Sequence, residues 1–312
     1  MSENTNTTKR RSAIQIMGSL IGLVKPLLHI MLAAIILGTL GYLCAIFLTI
    51  LAGQVIMHGL LTGVAGMIVP VDNMWRVFTP VKTIITVMIV IAVLRGILHY
   101  VEQYCNHFIA FKLLAIIRHK VFAALRKLCP AKLEGRDKGN LISIITTDIE
   151  LLEVFYAHTI SPIAIATLTS IIMVIFIGRY HWLAGVIALV AYLIVGVVIP
   201  MWNGKRGSQK GMEFRTNFGE LNSFVLDSLR GLDETIQYGQ GEKRKEQMSE
   251  HSKNLAGMQE SLSKMEGSQR SFTNMVILLA SFGMLALTIW LYDKGAMGFE
   301  GILTCTIAMM GS

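Results

Sequence analysis

The chain has 312 residues, of which 53% are hydrophobic and only 15% are charged. In soluble globular domains about a quarter of the residues are charged, so this composition excludes an ordinary soluble enzyme or binding domain. The net charge of +8 does not call for a nucleic acid partner, because the basic residues cluster beside long apolar segments. The sequence therefore predicts an all-α polytopic membrane protein.

The chain begins with a polar and then basic tail, residues 1–12. No small-residue cleavage site follows a compact apolar core, so a removable signal peptide is not predicted. Apolar residues recur at helical spacing through residues 13–25. This pattern fits a short elbow helix in the membrane interface, and it fits an extension of the first span equally well.

Five apolar runs approach or exceed the roughly 20 residues that cross a hydrocarbon core, and a shorter sixth run follows them. The predicted spans are residues 26–57, 81–104, 154–178, 183–202, 271–292 and 297–312. The last run is the shortest, and a helix of fewer than about 20 residues would hardly cross a hydrocarbon core. The sequence is therefore expected to end inside a truncated sixth span.

Basic residues concentrate before the first span, after the second and after the fourth. Loops rich in lysine and arginine stay on the cytoplasmic side of a membrane. This distribution predicts a multi-pass protein of the inner or plasma membrane with a cytoplasmic N-terminus. Two long cytoplasmic excursions are expected, at residues 112–150 and 203–270.

The two excursions have the periodicity of helices rather than of disordered loops. Residues 81–128 contain no proline and a single glycine, and their apolar residues keep helical spacing. The second span is thus predicted to continue about 18 residues past the membrane, or about 27 Å at 1.5 Å per residue. Residues 245–269 also lack proline and keep a narrow apolar stripe, which predicts a second long helix that returns to the membrane.

Each excursion is predicted to have a break and a short helical piece at its tip, at about residues 134–146 and 227–238. In the second piece, apolar residues recur every three or four positions, followed by Gly239-Gln240-Gly241 as a helix stop. The recurring apolar residues are Leu226, Leu229, Leu232 and Ile236. An apolar ridge on such a tip suits a groove in a cytoplasmic partner, whereas a solvated hairpin end is the alternative.

The layout of six spans with two long intracellular extensions resembles the transmembrane domain of an ABC exporter. In that family the two tips are coupling helices that seat in grooves of the ATPase domains. The stretch "GRDKGNLISIITTDIELLE" resembles the first coupling pattern, with Ile144 where the family commonly has arginine, and the second tip is similar to a leucine–glycine pattern that ends in Glu242. The resemblance implies ATPase coupling through Gly139, Asn140, Leu141, Asp148, Leu229, Gly231, Ile236 and Gly239.

Two stretches, "EQYCNHFIAFKLLAIIRHKVFAALRKLCPAKL" and "DSLRGLDETIQYGQGEKR", resemble the C-type half of the cytochrome-bd assembly thiol exporters. That subfamily pairs a C-type half with a D-type half and is associated with export of cysteine or glutathione. It also carries a glutamate followed five residues later by a histidine linked with heme binding. Glu102 and His107 match this pair, while Gln103 replaces the arginine that often follows the glutamate. The resemblance makes His107 a heme candidate.

No phosphate-binding loop of the form GxxxxGK[ST] occurs in the sequence. The one Gly-Lys pair, Gly204-Lys205, is followed by Arg206 and has Ile199 at the upstream glycine position. The nucleotide-binding domain is therefore absent from this sequence, and ATP is expected to bind a fused or separately encoded ATPase domain. No catalytic constellation and no metal site are predicted, because Cys105 and His107 supply only two ligands.

Three ionisable residues of the second span, Arg95, His99 and Glu102, fall on adjoining helical positions. Charges inside a membrane usually face a cavity or a partner. They are therefore candidates for a substrate cavity, in which Arg95 binds an anionic thiol such as glutathione through two parallel hydrogen bonds. The alternative is an internal pair, in which Arg95 or His99 neutralises Glu102.

The leading interpretation is the permease half of an ATP-driven ABC exporter that moves a small thiol such as cysteine or glutathione. Alternatives are an exporter half for a peptide, lipid or drug, a heme-binding or redox-sensing membrane protein, and a fragment that only occupies its partner. The expected partners are an ABC ATPase domain, a second transporter half in a homo- or heterodimer, and the lipid bilayer. ATP hydrolysis is expected of the whole assembly, not of this chain alone.

Overall fold

The computed structural model describes residues 25–63, 81–128 and 149–311, together with Gly18 and Gly22. Within these ranges all regular structure is helical, which confirms the all-α prediction. A 3-10 turn at Lys25–Leu27 precedes the first helix, and π-helical turns lie at Tyr156–Ile160 and Ile194–Val198. The helices are α1 Leu28–Gly63, α2 Val81–Leu128, α3 Ile149–Phe155, α4 Ser161–Tyr180, α5 Trp182–Leu193, α6 Ile199–Arg230, α7 Leu232–Gln237, α8 Gly241–Asp293 and α9 Phe299–Gly311.

Five helical segments of the described ranges are long and apolar enough to cross a membrane. They are Lys25–Met57, Lys82–Leu128, Leu152–Tyr180, Trp182–Gly204 and Gly241–Asp293. A shorter apolar helix, Phe299–Gly311, falls within the run that was predicted as the sixth span. The chain is thus a multi-pass membrane protein. The predicted first tip and all but Gly18, Gly22 and Lys25 of the predicted elbow lie outside the described residues.

The described residues divide into two compact units. One runs up to Ile175 and includes Gly311, and the other runs from Phe176 to Met310. In the first unit, α1 packs along α2, and α3 with its π-helical turn packs against α2. In the second unit, α5 packs against α8, and α6 pairs with α8.

Helix α2 runs unbroken from Val81 to Leu128, as the absence of proline predicted. Its 48 residues span about 72 Å at 1.5 Å per residue, more than twice the thickness of a hydrocarbon core. The helix must therefore continue well beyond the membrane. The outgoing arm of the first extension is therefore an unbroken helical continuation of a span.

Both π-helical turns precede a proline. Tyr156–Ile160 is followed by Pro162, and Ile194–Val198 is followed by Pro200 in the first turn of α6. Proline lacks a backbone N–H, and its ring displaces the carbonyl four residues earlier. The wider turn takes up this mismatch without a break, because its hydrogen bonds join residues five apart. The fourth span therefore passes directly into α6.

Helices α6 and α8 form the long hairpin that the second excursion predicted. Lys210 Nζ donates a hydrogen bond to Ser261 Oγ over 3.0 Å. Nearer the turn, the rings of Phe224 and His251 lie 5.3 Å apart, and the Arg244 guanidinium carbon lies 4.8 Å from the Phe224 ring centre. The paired residues lie at similar sequence distances from the turn, which is the register of two antiparallel helices.

The hairpin turns through α7, which Gly231 and Gly239 separate from the long helices. The N–H of Gly239 donates to the C=O of Ile236, and the N–H of Gln240 donates to the C=O of Thr235. This pair of bonds is a Schellman stop. Gly239 has φ +64°, a value that glycine adopts far more readily than residues with a side chain.

The tip differs in extent from the predicted segment 227–238. Leu229 lies in the last turn of α6, and only Leu232–Gln237 forms the separate helix. Gly231, with φ −98° and ψ 30°, makes the break. The spacing of the apolar residues does not reveal this break. An interruption at a single residue hardly changes the helical face on which the leucines fall.

Replacing Gly239 by alanine is expected to destabilise the tip by about 1 to 2 kcal/mol, since the side chain opposes the left-handed backbone conformation. The measurement is hydrogen exchange of the amides in residues 232–240. The matched control is Gly219→Ala in α6, where an added Cβ meets nothing within 4 Å. Faster exchange at the tip in the Gly239 variant alone is the expected result. Equal exchange in both variants would contradict it.

Candidate coupling tip and intramembrane polar cluster

The tip of the second hairpin exposes several large apolar side chains. Ile236 is 69% exposed and Tyr238 is 74% exposed, and Leu229 and Leu232 are also exposed. Contiguous exposed apolar residues rimmed by polar ones mark surfaces that contact a partner. We call Leu229, Leu232, Ile236 and Tyr238 the tip surface. The corresponding residues predicted in the first tip, Gly139, Asn140, Leu141 and Asp148, lie outside the described residues.

The two glycines of the second tip have different roles. A Cβ added at Gly231 would lie 3.4 Å from the Asp227 carbonyl oxygen, and the φ of Gly231 is negative. A side chain there would meet its neighbour closely, but it would not oppose the backbone conformation. Gly239 alone holds a positive φ in this tip. The shape of the tip therefore depends more on Gly239 than on Gly231.

A polar cluster lies inside the second span, on the face of α2 that packs against other helices. Glu102 is 3% exposed and Asn106 is 2% exposed. Asn106 Nδ2 donates to Glu102 Oε1 over 2.6 Å, and His99 Nδ1 lies 3.2 Å from Glu102 Oε2. Of the two pairings that the sequence left open, the structure contains the one between His99 and Glu102.

Gly38 of α1 lies directly against this cluster. A Cβ at Gly38 would overlap Ile165 Cδ1 of α4 and would lie 3.0 Å from Glu102 Cγ. The absence of a side chain thus lets α1 approach α2 and α4 at the level of the buried carboxylate. Asn106 and Gly38 were not predicted as site residues. The signal for Asn106 was its spacing, since it lies one helical turn after Glu102 and so on the same face of the helix.

Replacing Asn106 by aspartate is expected to destabilise the protein by about 1 to 3 kcal/mol, because it replaces the amide donor with a second carboxyl group beside Glu102. Asn106→Leu removes the same hydrogen bond without adding a charge and should destabilise less. The measurement is the midpoint of thermal unfolding in detergent. A more stable Asn106→Asp protein would contradict the hydrogen bond from Asn106 to Glu102.

Arg95 lies apart from Glu102. Its side chain and that of His99 line a cavity of about 210 Å³ between α1 and α2. The other lining residues are Gly38, Gly41, Tyr42 and Ala45. The three residues predicted for a substrate cavity are therefore divided in the structure, with Arg95 and His99 at the cavity and Glu102 buried behind His99.

Glu102 and His107 are the pair that matches the heme-linked pattern, but in the structure they contact different residues. His107 Nδ1 lies 3.9 Å from Glu153 Oε1, and its ring meets the ring of His158 edge to face at 5.6 Å. That spacing is the contact distance of packed aromatic rings. Among the described residues no group of three or more His, Cys, Asp or Glu could hold a metal ion.

One further contact was not predicted from the sequence. Arg118 in the extension of α2 donates to Glu150 of α3 over 3.1 Å. Both side chains are largely exposed, so the pair is worth at most about 1 kcal/mol. It joins the outgoing and returning arms of the first excursion.

The fold and the exposed tip define a helical membrane protein with a long helical hairpin continuous with its spans. Comparison with known proteins assigns the class. Residues 27–311 match the ABC transporter transmembrane region, and the chain belongs to that family. It is an ABC exporter transmembrane domain.

Individual relatives are longer than this chain. An ABC transporter ATP-binding/permease protein of Haemophilus influenzae is 38% identical over 306 residues, covering 97% of this chain and 52% of the relative. The ATP-dependent lipid A-core flippase of Pasteurella multocida is 25% identical, over 73% of this chain and 40% of the flippase. The glutathione/L-cysteine transport system ATP-binding/permease protein CydD of Escherichia coli is 24% identical, over 50% of this chain and 26% of CydD. The chain thus spans about half, or less, of the length of these relatives.

Proposed function

We propose that this chain is the membrane-spanning half of an ATP-driven exporter and that α7 docks in a groove of an ABC ATPase domain. The observation that carries the proposal is the tip surface, whose apolar side chains are exposed at the end of a hairpin continuous with two spans. An amphipathic helix that lays its apolar face in a groove is a common mode of protein recognition. The relatives named as ATP-binding/permease proteins support an ATPase partner.

The hairpin provides a mechanical connection between the tip and the membrane. Helix α6 follows the fourth span without a gap, and α8 continues from the tip into the next span. Movement of an ATPase domain at α7 would therefore displace two spans together. Alternating access requires the spans to switch between two packed arrangements, and a joint displacement of two spans can produce that switch. The assembly would contain a second transporter half and would lie in the inner or plasma membrane with its N-terminus in the cytoplasm.

The proposed substrate is a small thiol such as glutathione or cysteine. Support comes from the similarity to glutathione/L-cysteine transport proteins, over half of this chain. Similarity to lipid A-core flippases supports a lipid as the second candidate. The test is ATP-dependent uptake into inside-out proteoliposomes that contain the full-length transporter with its ATPase domain. Uptake of radiolabelled glutathione is expected, and flipping of a fluorescent lipid without glutathione uptake would replace the thiol by the lipid.

Heme ligation by His107 is a subsidiary proposal. Ligating histidines usually bond a carboxylate through their other ring nitrogen, and Glu153 lies near Nδ1 of His107. The test is the heme absorption band of protein purified from heme-supplemented cells. A band that His107→Ala removes and His158→Ala keeps would support the proposal. The lack of a band in the unaltered protein would reject it.

A further inference from the structure

Arg95 lies on the face of α2 that packs against other helices. Ile84 and Leu113, about three and five helical turns away on the same face, are each 1% exposed. Glu102 lies about two turns further along that face and is also buried. Arg95 itself remains exposed. Because Arg95 also lines the cavity between α1 and α2, it lies at the junction of these helices and not on the opposite, outward face of α2.

Small residues of α1 make room for the cavity beside Arg95. Gly38, Gly41 and Ala45 line it on the α1 side, and Tyr42 adds a phenol. A Cβ at Gly41 would lie 3.7 Å from Leu98 Cβ, so the two helices are closely packed next to the open space. The cavity of about 210 Å³ suits one polar head group and a few attached atoms, not a whole lipid.

Among the described residues, no acidic side chain is paired with Arg95. Within the part of the chain that the structure describes, Arg95 forms no ion pair, and the Glu102 carboxylate contacts His99 and Asn106 instead. Arginine stays protonated in proteins. A charge inside a span is unfavourable by about 2.5 to 3.5 kcal/mol near the membrane centre, so such residues face a cavity and bind a counter-charge.

We infer that Arg95, Tyr42 and His99 form a subsite for one anionic group, a carboxylate or a phosphate, of the transported molecule. The guanidinium fork binds such groups through two parallel hydrogen bonds. Tyr42 can donate a third hydrogen bond from its hydroxyl. This inference rests on the proposed transport function, because it assigns that function a substrate class.

The test is equilibrium binding of radiolabelled glutathione, without ATP, to the full-length transporter in phosphatidylcholine nanodiscs. Arg95→Gln is expected to weaken binding at least about tenfold, since it removes the charge. Arg95→Lys should weaken it less, because lysine keeps the charge but lacks the fork. Tyr42→Phe, the variant least disruptive to folding, should weaken it about threefold. The control is Arg179→Gln at the end of α4, outside the cavity, which should bind like the unaltered protein.

A second arm separates the two sources of the anionic group. Nanodiscs that contain phosphatidylglycerol should leave glutathione binding unchanged if the subsite takes a carboxylate of a small solute. Retention of phosphatidylglycerol that depends on Arg95, with no glutathione binding, would assign the subsite to a lipid phosphate. Equal binding of both probes by the unaltered and Arg95→Gln proteins, or binding of neither probe, would overturn the subsite.

The two proposals fail in different ways. Glutathione binding that depends on Arg95, in a protein whose ATP hydrolysis drives no transport, would remove the exporter proposal and keep the subsite. ATP-driven transport that is the same in the unaltered and Arg95→Gln proteins would remove the subsite and keep the exporter.

Discussion

Replacing Ile236 by aspartate is expected to uncouple ATP hydrolysis from transport. Ile236 is the more exposed of the two tip-surface residues on α7, at 69% against 48% for Leu232. Burial of an isoleucine side chain at a docking site contributes about 1.5 to 3 kcal/mol, and a buried carboxylate adds a further penalty. Docking should weaken at least about tenfold. ATP-dependent uptake should fall by a similar factor while basal ATP hydrolysis persists.

The measurement is uptake and ATP hydrolysis by the same proteoliposomes of the full-length transporter. Leu229→Asp, at the start of the tip surface, should have a smaller effect in the same direction, because Leu229 lies on α6 rather than on α7. Gln247→Asp is the control, since it places the same charge on an exposed position of α8 outside the tip surface. Normal coupling in the Ile236 variant would show that α7 does not dock.

Replacing Gly38 by valine is expected to destabilise the packing of α1 by about 3 kcal/mol. Its Cβ would overlap Ile165 and press on Glu102, and the further methyl groups increase the overlap. The midpoint of thermal unfolding in detergent should fall clearly below that of the unaltered protein. Gly96→Val is the control, because a Cβ there meets nothing within 4 Å.

A second variant tests whether the overlap is the cause. Ile165→Ala leaves space for the side chain that Gly38→Val adds at position 38. The double variant, Gly38→Val with Ile165→Ala, should therefore recover part of the lost stability. Contacting residues are expected to show such coupling, whereas independent residues show additive effects. Additive losses of stability in the Gly38 and Ile165 variants would point to another source of the destabilisation.

The long helices were predictable because their signals are local and sustained. The absence of proline from Val81 to Leu128 and from Lys245 to Gln269 predicted helices that outlast the membrane, and both are unbroken. Gly239 was likewise predictable as a stop, since its residue type matches the positive φ that the turn requires. Hydrophobic length and periodicity determine these features without reference to other parts of the chain.

The polar cluster was only partly predictable, because it depends on contacts between helices. Sequence spacing places Arg95, His99 and Glu102 on one face of α2, but it does not show which of them a neighbouring helix covers. Gly38 of α1 determines that Glu102 is the covered residue, because its lack of a side chain lets α1 pack against Glu102. The same limit applies to His107, whose contact with Glu153 requires the return of the chain from the first excursion.

The two prolines that follow π-helical turns have a consequence for related sequences. A π-helical turn accommodates one residue more than the α-helical turn that it replaces. A relative without proline at the position of Pro162 or Pro200 can therefore delete a single residue in 156–160 or 194–198 and keep every flanking side chain on its original side. Single-residue gaps in an alignment of the family are expected to concentrate at these two points rather than in the loops alone.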